Sequence, residues 1–551
     1  MIKTIPWSKT DTIIKNTPNE ITKGIISRTA TLRHWVRQAY FPCPNEQLQQ
    51  IIKNRDQQFL NLVRDTVFNQ PSCPYLKLLR HVGCEFNDVQ DMVNNNGLEG
   101  ALHQLAEAGV WVSHDEMKGR EPVRRGSAVF HFKDSDFDNP IILPQFFNAT
   151  SGSSGPRTRV GISLKHYEEQ LLHTSLSSVF NSISNAETGL WLPPSEWAFS
   201  RLLRFARLGF VPARWFSQVP LRPPITPIKT LIRLLGFKVV LHTCQVPVPW
   251  PILVESTKPS PVADWLCSVL RIGRGAVLVT YPSSAVRLCL WSEKKGMTLK
   301  GTVLIVAGES ISRVNRETIE KSGAVCLPLF GTTESGESAE ACLCAISPDD
   351  MHIYSHKFAL IGRNLNFGTE NGEKALLFTS LGTASPKIFL NAETGDVGII
   401  EERACGCPWG DLGYNTHVRN VWSYAKLTAE GMTLPGSSIF RILEEDMPSI
   451  LGGSPGDYQL VLEPDSAGLN NYLLSINPSV GFLDTDNTRE IFIKALVSRK
   501  ASSALTADFL RRAGQLHVVR RQPIVQSGGK SLPVMFLRER IDPILNKNKE
   551  T

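Results

Sequence analysis

The stretch VLIVAGESISRVNRETIEKSGAVCLPLFGTTESG, residues 303–336, decides the predicted fold. Val303–Ala307 predicts a buried strand, Ser312–Lys321 a short amphipathic helix, and Ala324–Leu329 a second buried strand. A strand, a helix and a strand at this spacing are typical of the parallel βαβ unit of an α/β protein. Because ligands bind beyond the carboxyl ends of parallel strands, we expect Phe330–Gly336 to lie at a binding edge.

Upstream of this unit, a loop rich in hydroxyls and glycines lies between two apolar runs. It reads Thr150-Ser151-Gly152-Ser153-Ser154-Gly155-Pro156-Arg157-Thr158. Backbone N–H groups and hydroxyls in such a loop can surround a phosphate. A flexible hairpin loop has the same composition, so the loop alone leaves both interpretations open.

Two further motifs follow in the second half of the chain. Glu393–Asp396 contains Thr-Gly-Asp and predicts a turn, and Gln526–Lys530 places a lysine after two glycines on a predicted surface loop. Before that loop, paired strands and helices over about 125 residues predict a compact α+β unit. We therefore predict an α/β protein with a large N-terminal domain of mixed, largely parallel sheets over residues 1–422 and a small mobile α+β domain over residues 423–551. Residues 1–60 form a poorly assigned helical extension.

Composition indicates an ordinary globular protein, with 551 residues, 42% hydrophobic and 20% charged. No stretch approaches the roughly 20 apolar residues that span a bilayer, and no signal-peptide core begins the chain. We expect a cytoplasmic protein without stable membrane insertion. Eleven cysteines scattered over a long chain do not indicate a secreted disulfide framework.

The net charge of +7 is concentrated in one segment, which contains Arg201, Arg204, Arg207, Arg214, Arg222, Lys229, Arg233 and Lys238. Such a patch suits coenzyme A, a carrier protein or a membrane surface. The alternative is a solvated helix face whose long side chains cover apolar surface. Nucleic acid is not expected, since no nucleic-acid-binding motif accompanies the charge.

Taken in order, the motifs resemble those of the adenylate-forming (acyl-CoA synthetase-like) superfamily over about residues 60 to 540. The resemblance is strongest to its phenylacetate–CoA ligase branch, where the hydroxyl-rich loop also ends in Pro and Thr rather than Lys. It implies ATP-dependent conversion of an aryl or fatty carboxylic acid into an acyl-adenylate, with Mg²⁺ and release of pyrophosphate. The acyl group would then pass to coenzyme A, to an acyl or peptidyl carrier protein, or to an amine.

The resemblance also implies roles for residues of this chain. Thr333 would contact the α-phosphate, Glu334 would hold Mg²⁺, and Lys530 would bind the charge that develops during transfer. The triphosphate would be held by Thr150, Ser151, Gly152, Ser153, Ser154, Gly155 and Thr158. The rest of the nucleotide site would comprise Gly308, Glu309, Phe330 stacked on adenine, Gly331, Thr332, Asp396 on the ribose, and Arg419. The acid would bind between about residues 190 and 335, near aromatics such as Trp197, Phe199 and Trp215.

One departure from the family pattern concerns the hinge between the domains. The expected Gly-Arg pair is missing near Val421–Lys426, where Arg419 is the nearest substitute and Lys426 is our predicted hinge residue. This departure leaves open which molecule accepts the acyl group in the second step. It also motivates the alternative of an adenylation-fold protein that binds nucleotide without catalysis. The presence of Glu334 and Lys530 argues against that alternative.

Cysteine and histidine residues between positions 342 and 407 suggest a structural zinc site. Cys405, Cys407 and His352 are predicted ligands, with Cys342 or Cys344 as the fourth. Thiolates and imidazole at such spacings can form a closed tetrahedral site, and some phenylacetate–CoA ligase relatives resemble this pattern. Buried cysteines without a metal are the alternative.

Overall fold

The computed structural model describes most of the chain. The described residues are 30–40, 43, 45–149, 159–223, 226–311, 313–364, 372–423, 426–429, 432–435, 439, 442–453, 455–465, 469–499, 510–511, 514–524 and 534–537. The phosphate-loop residues 150–158 and Lys530 therefore lie outside the described residues.

A mixed sheet of twelve strands forms the centre of the molecule. In spatial order its strands are Phe358–Arg363, Lys374–Ser380, Ala392–Glu402, Thr416–Ser423, Met351–Ile353, Gly336–Ala341, Val325–Thr332, Thr302–Ala307, Ala276–Thr280, Glu187–Trp191, Arg214–Ser217 and Ile252–Leu253. The last six are mutually parallel, and the first six pair antiparallel with their neighbours.

The predicted βαβ unit lies in the parallel half of this sheet. Thr302–Ala307 pairs in parallel with Val325–Thr332, and the helix Arg313–Lys321 connects them. Alternate residues of these strands point to opposite faces, and both faces are buried. Leu304 packs in the core on one face and Ile305 in the core on the other, which explains why the strands read as continuous apolar runs. The predicted unit is confirmed.

Helices cover both faces of the sheet. Those on the side of Ile305 include Leu164–Phe180, Glu196–Arg207 and Ile228–Thr243, and those on the side of Leu304 include Ser260–Arg271 and Pro282–Lys294. The N-terminal helices Asn45–Lys53, Arg55–Val63, Pro74–His81, Phe86–Glu107 and His114–Met117 precede the sheet, and those from Arg55 to Met117 share a core with its antiparallel half. A short helix, Pro408–Asp411, follows the second cysteine pair. No described helix is long and apolar enough to cross a bilayer.

A separate small unit follows the large sheet. Its four strands lie in the order Leu516–Arg520, Asn470–Ile476, Tyr458–Pro464 and Val534–Phe536, with the helices Met447–Leu451 and Thr485–Arg499. Two antiparallel strand pairs lie outside these two sheets. Phe146–Ala149 pairs with Arg159–Ile162, and Lys426–Ala429 pairs with Met432–Pro435. A third pairs Val123–Arg125 with Ala128–Phe130. The predicted class, a mixed α/β unit plus a small α+β unit, is confirmed.

The turn predicted at Glu393–Asp396 is wrong. These residues lie inside the long strand Ala392–Glu402, which is paired on both sides. Gly395 has a φ of 84°, and the ladders on either side change register nearby, so the strand bends locally without ending.

Candidate active site

The turn Thr332–Gly336 lies at the carboxyl end of the parallel strand Val325–Thr332. The Thr332 hydroxyl lies 3.0 Å from Ser335 Oγ and accepts a hydrogen bond from Ser335 N at 3.1 Å. Beneath the turn, buried Lys357 Nζ donates to the carbonyl oxygens of Ser335 at 2.6 Å and Glu337 at 3.0 Å. The motif is thus held at the carboxyl end of a parallel strand, where we predicted a binding site.

The predicted magnesium ligand Glu334 is buried in this turn and contacts a lysine that the motifs did not identify. Lys118 Nζ donates to Glu334 Oε1 and, at 3.0 Å, to Asp134 Oδ1. Burial opposes the charged ammonium, but Glu334 and Asp134 outweigh burial and raise the pKa of Lys118. Asp134 is bonded in turn to Lys387 Nζ at 2.8 Å. Carboxylates and ammonium groups therefore alternate behind the turn.

A buried ion pair fixes the strand that leaves the turn. Arg204 donates through both terminal nitrogens to the two carboxylate oxygens of Glu337, each at 2.5 Å, and Arg201 Nη2 lies 3.2 Å from Glu337 Oε1. Burial would raise the pKa of Glu337, but the two guanidinium groups outweigh burial and lower this pKa to about 2. Glu337 is therefore ionised at any physiological pH.

Gly336 permits the close approach of this turn to the helix Leu164–Phe180. Its φ is 68°, and a Cβ atom there would overlap the side chains of Gln170 and His166. Both the backbone angle and the contact therefore require glycine.

The other predicted nucleotide residues are distributed over the neighbouring strands. Phe330 is half-buried, with its ring centroid 6.0 Å from that of Phe378 on the strand Lys374–Ser380. Asp396 is half-buried and opposite Ser423 in the sheet. Arg419 donates to Glu401 Oε2 at 3.3 Å.

The carboxylate of Glu309 serves a structural purpose as well. It accepts hydrogen bonds from the Ser283 backbone N–H at 3.0 Å and from the Ser283 hydroxyl at 3.1 Å. Ser283 lies in the first turn of the helix Pro282–Lys294, so Glu309 caps that helix. Gly308, with a φ of 85°, packs against Tyr281, the residue preceding that helix.

The strands that flank the predicted phosphate loop are described. Phe146–Ala149 pairs antiparallel with Arg159–Ile162, with Ala149 opposite Arg159, so the loop joins two adjacent strands. The predictions for the loop residues themselves and for Lys530 remain predictions. The side chain of the predicted hinge residue Lys426 also lies outside the described side chains.

Two of the three aromatics predicted near the acid pocket belong to the core. Trp215 is fully buried and donates its indole N–H to the Leu192 carbonyl at 2.9 Å, and Phe199 packs edge-on against it. Trp197 is half-buried beside Tyr281. Apolar sequence alone does not distinguish a pocket wall from a packed core.

The predicted metal ligands converge on one point. Ligand atoms of Cys342, His352, Cys405 and Cys407 all lie within 4.8 Å of one another. Cys342 Sγ is 3.9 Å from Cys405 Sγ, and His352 Nε2 is 3.4 Å from Cys405 Sγ and 3.2 Å from Cys407 Sγ. Two sulfurs bound tetrahedrally to zinc at about 2.3 Å are about 3.8 Å apart, so the group has the dimensions of a zinc site.

The surroundings of this cluster also suit a metal. His352 Nδ1 lies 2.6 Å from the Tyr414 carbonyl oxygen. A proton on Nδ1 would be donated there, leaving Nε2 to face the sulfurs as a lone-pair ligand. Cys344 is exposed and outside the cluster, although its backbone N–H donates to Cys342 Sγ at 3.3 Å. The geometry thus selects Cys342 between the two candidates for the fourth ligand.

Comparison with known proteins supports the fold. No family model matches the chain, and no curated protein matches it in sequence. A solved structure of a 2-hydroxyisobutyryl-CoA ligase, in complex with its acyl-AMP and CoA in the thioesterification state, is similar with a TM-score of 0.50 and 15% identity, covering 92% of each chain. A variant of an amide bond synthetase from Marinactinospora thermotolerans matches with a TM-score of 0.40 and 12% identity, covering 91% of this chain and 94% of that one.

The match to the 2-hydroxyisobutyryl-CoA ligase runs through almost the full length of both chains. The chain therefore has the fold of this ligase. At this identity the likeness establishes the fold, and the activity must be argued from the residues of the site.

Proposed function

We propose that the protein activates a carboxylic acid as its acyl-adenylate, using ATP and releasing pyrophosphate. The observation that carries this proposal is the buried carboxylate of Glu334 in the turn at the carboxyl end of the parallel strands, on a fold whose neighbour holds an acyl-AMP and CoA. A carboxylate oxygen would attack the α-phosphate, and the bond to pyrophosphate would break. Such transfers depend on positioning and on neutralising phosphate charge.

Within this proposal, residues of the turn and its neighbours bind the nucleotide. Glu334 would hold Mg²⁺, which prefers carboxylate oxygens and would neutralise phosphate charge when bound. Thr333 would donate to the α-phosphate, Phe330 would contact adenine, and Asp396 would accept hydrogen bonds from the ribose. Lys118 would orient Glu334, because its ammonium contacts that carboxylate.

The second half-reaction would transfer the acyl group to a thiol or an amine. We propose coenzyme A or a carrier protein as the thiol, a domain boundary near residue 423, and a lid formed by residues 423–551 that brings Lys530 to the phosphate. The hydroxyl-rich loop ending in Thr158 favours the phenylacetate–CoA ligase-like branch of these enzymes.

Pyrophosphate exchange tests the first step without knowledge of the acceptor. We expect labelled pyrophosphate to enter ATP only when a suitable aryl or fatty acid is present, because a reversible adenylate requires the acid. Lys530→Ala should slow this exchange by about 10²–10³-fold, the usual loss for one group that binds developing charge. If no acid in a broad panel supports exchange although the protein binds ATP tightly, the result would instead favour a nucleotide-binding protein without catalysis.

We also propose that Cys342, His352, Cys405 and Cys407 bind a structural zinc ion. The four ligands come from two segments, one near residues 342–352 and one near residues 405–407, and a closed site would tie them together. The site contains four protein ligands and therefore leaves no position for substrate. The role of the zinc ion would be to stabilise the antiparallel half of the sheet.

Metal analysis of two cysteine variants tests the zinc proposal. We expect purified wild-type protein to contain about one zinc per chain. Cys342→Ser should lose that zinc and melt at a lower temperature, because a ligand bound only to the folded state adds to its stability. Cys344→Ser is the matched control, since Cys344 is exposed and outside the cluster, and it should keep both properties. Equal zinc contents in the two variants, or none in the wild type, would contradict the proposal.

A further inference from the structure

The helix Ile228–Thr243 exposes an apolar stripe to solvent. Ile228, Ile232, Leu235 and Val239 are 59%, 62%, 53% and 62% exposed. They are spaced i, i+4, i+7 and i+11, which places them within about 60° of one another around the helix. On the other side, Leu234, Val240 and Leu241 pack into the core. The helix is thus apolar on both sides, and its core contacts do not account for the exposed stripe.

Positive charge borders this stripe on both sides. Lys229 and Lys238 lie at about +100° and −80° from Ile228 around the helix axis, and neither forms an ion pair among the described residues. Lys238 Nζ lies 5.4 Å from the ring centroid of Trp250, which is 47% exposed. We name Ile228, Ile232, Leu235, Val239 and Trp250 together the apolar patch.

The surrounding sequence contains cations and no acids. From Trp197 to Val254 there is no Asp or Glu, whereas the eight Arg and Lys residues noted above fall in this interval. Four of those arginines are paired with glutamates, with Arg201 and Arg204 on Glu337, Arg207 on Glu168 and Arg233 on Glu196. Arg214, Arg222 and Lys229 remain exposed. Lys229 and Lys238 beside the stripe therefore favour a partner that is both negatively charged and apolar.

We propose that the apolar patch binds the surface of an anionic lipid bilayer. An interfacial helix has apolar side chains on one face with lysines beside them, and a tryptophan and lysine commonly lie at the headgroup level. The four side chains of the stripe are each more than half exposed, so they protrude from the helix. A helix of 16 residues is about 24 Å long, shorter than the roughly 30 Å hydrocarbon core, and its inner face is packed in the protein. It would therefore lie on the membrane and not span it.

A second copy of the chain fits the apolar patch less well than an anionic bilayer does. In a two-fold contact the same patch faces itself, so Lys229 and Lys238 of one copy would approach those of the other without any acid from residues 197–254 to offset them. An acidic protein would satisfy the charge. However, the protruding stripe with its adjacent tryptophan and lysine fits a deformable lipid interface better than a preformed protein groove.

Vesicle sedimentation of the full-length protein tests this proposal. Vesicles of phosphatidylcholine with about 30% phosphatidylglycerol should bind the protein, and vesicles of phosphatidylcholine alone should bind it several-fold less, since anionic lipid attracts the lysines. Lys229→Gln should weaken binding to the anionic vesicles by about fivefold, the effect of one cation near the surface. Higher salt should weaken binding further.

A double variant, Ile232→Glu with Val239→Glu, should reduce vesicle binding by more than tenfold, because two carboxylates would enter the interface. Val179→Glu is the matched control, since Val179 is a β-branched residue 64% exposed on another helix, and it should bind as the wild type does. Light scattering identifies self-association, and a thermal unfolding transition at the wild-type temperature shows that the variants are folded. Vesicle binding equal for the double variant and the wild type would overturn the proposal. The proposal would also be overturned if the wild type did not bind the vesicles, or if the wild type formed a dimer that the double variant did not form.

Discussion

Glu334→Gln is expected to slow acid-dependent pyrophosphate exchange by about 10²–10³-fold in protein that remains folded. The substitution keeps the shape of the side chain but removes the charge that we propose holds Mg²⁺. It also leaves Lys118 with Asp134 as its charged partner, at 3.0 Å. ATP binding should weaken less than exchange does, because the other nucleotide contacts are unchanged.

The same substitution at an exposed position supplies the control. Glu317→Gln removes a carboxylate paired with Arg313 on the surface of the helix Arg313–Lys321, where both side chains are exposed. It should leave exchange within about twofold of the wild type, since exposed pairs contribute little. If Glu334→Gln kept the wild-type exchange rate, Glu334 would not be the metal ligand.

Arg204→Met is expected to destabilise the protein by about 3–5 kcal/mol, measured as the free energy of unfolding in urea. Arg204 is fully buried, and its fork binds both oxygens of Glu337. Without it, a buried carboxylate keeps Arg201 as its nearest ion-pair partner, at 3.2 Å through one nitrogen. The loss comes mainly from the carboxylate that is left poorly compensated.

The triple variant Arg201→Met, Arg204→Met, Glu337→Met separates this cause from simple loss of packing, because removing Glu337 alone would leave the buried guanidinium of Arg201 uncompensated. When all members of a buried ionic cluster are replaced by apolar side chains, much of the stability returns. We therefore expect the triple variant to be more stable than Arg204→Met alone. Arg214→Met, at an exposed position, should change stability by less than about 0.5 kcal/mol. A triple variant less stable than the single one would contradict this account of the ion pair.

Local patterns predicted the parts of the fold that depend on neighbouring residues. The βαβ unit and the paired strands and helix of the small unit follow from apolar periodicity. The turn predicted at Glu393–Asp396 failed because pairing on both sides of a strand overrides the turn tendency of Gly395.

Local patterns could not predict contacts between segments that are far apart in the sequence. Lys118 and Glu334 are 216 positions apart, and no motif near Lys118 indicates that it reaches the turn. The pairing of Arg204 with Glu337 was likewise hidden, since Arg204 was one of eight cations in a basic segment. Cysteine spacing did predict the grouping of Cys and His side chains, because thiolates and imidazole are distinctive ligands, but the choice of Cys342 over Cys344 required the folded backbone.

The path of one oxygen atom tests the central claim most directly. An acid that supports exchange is labelled with oxygen-18 in its carboxylate and incubated with the enzyme, ATP, Mg²⁺ and an acceptor thiol or amine. If the carboxylate attacks the α-phosphate and the acceptor then displaces AMP, one labelled oxygen must appear in AMP. Unlabelled AMP, or label in inorganic phosphate with ADP as the other product, would contradict the proposed adenylation.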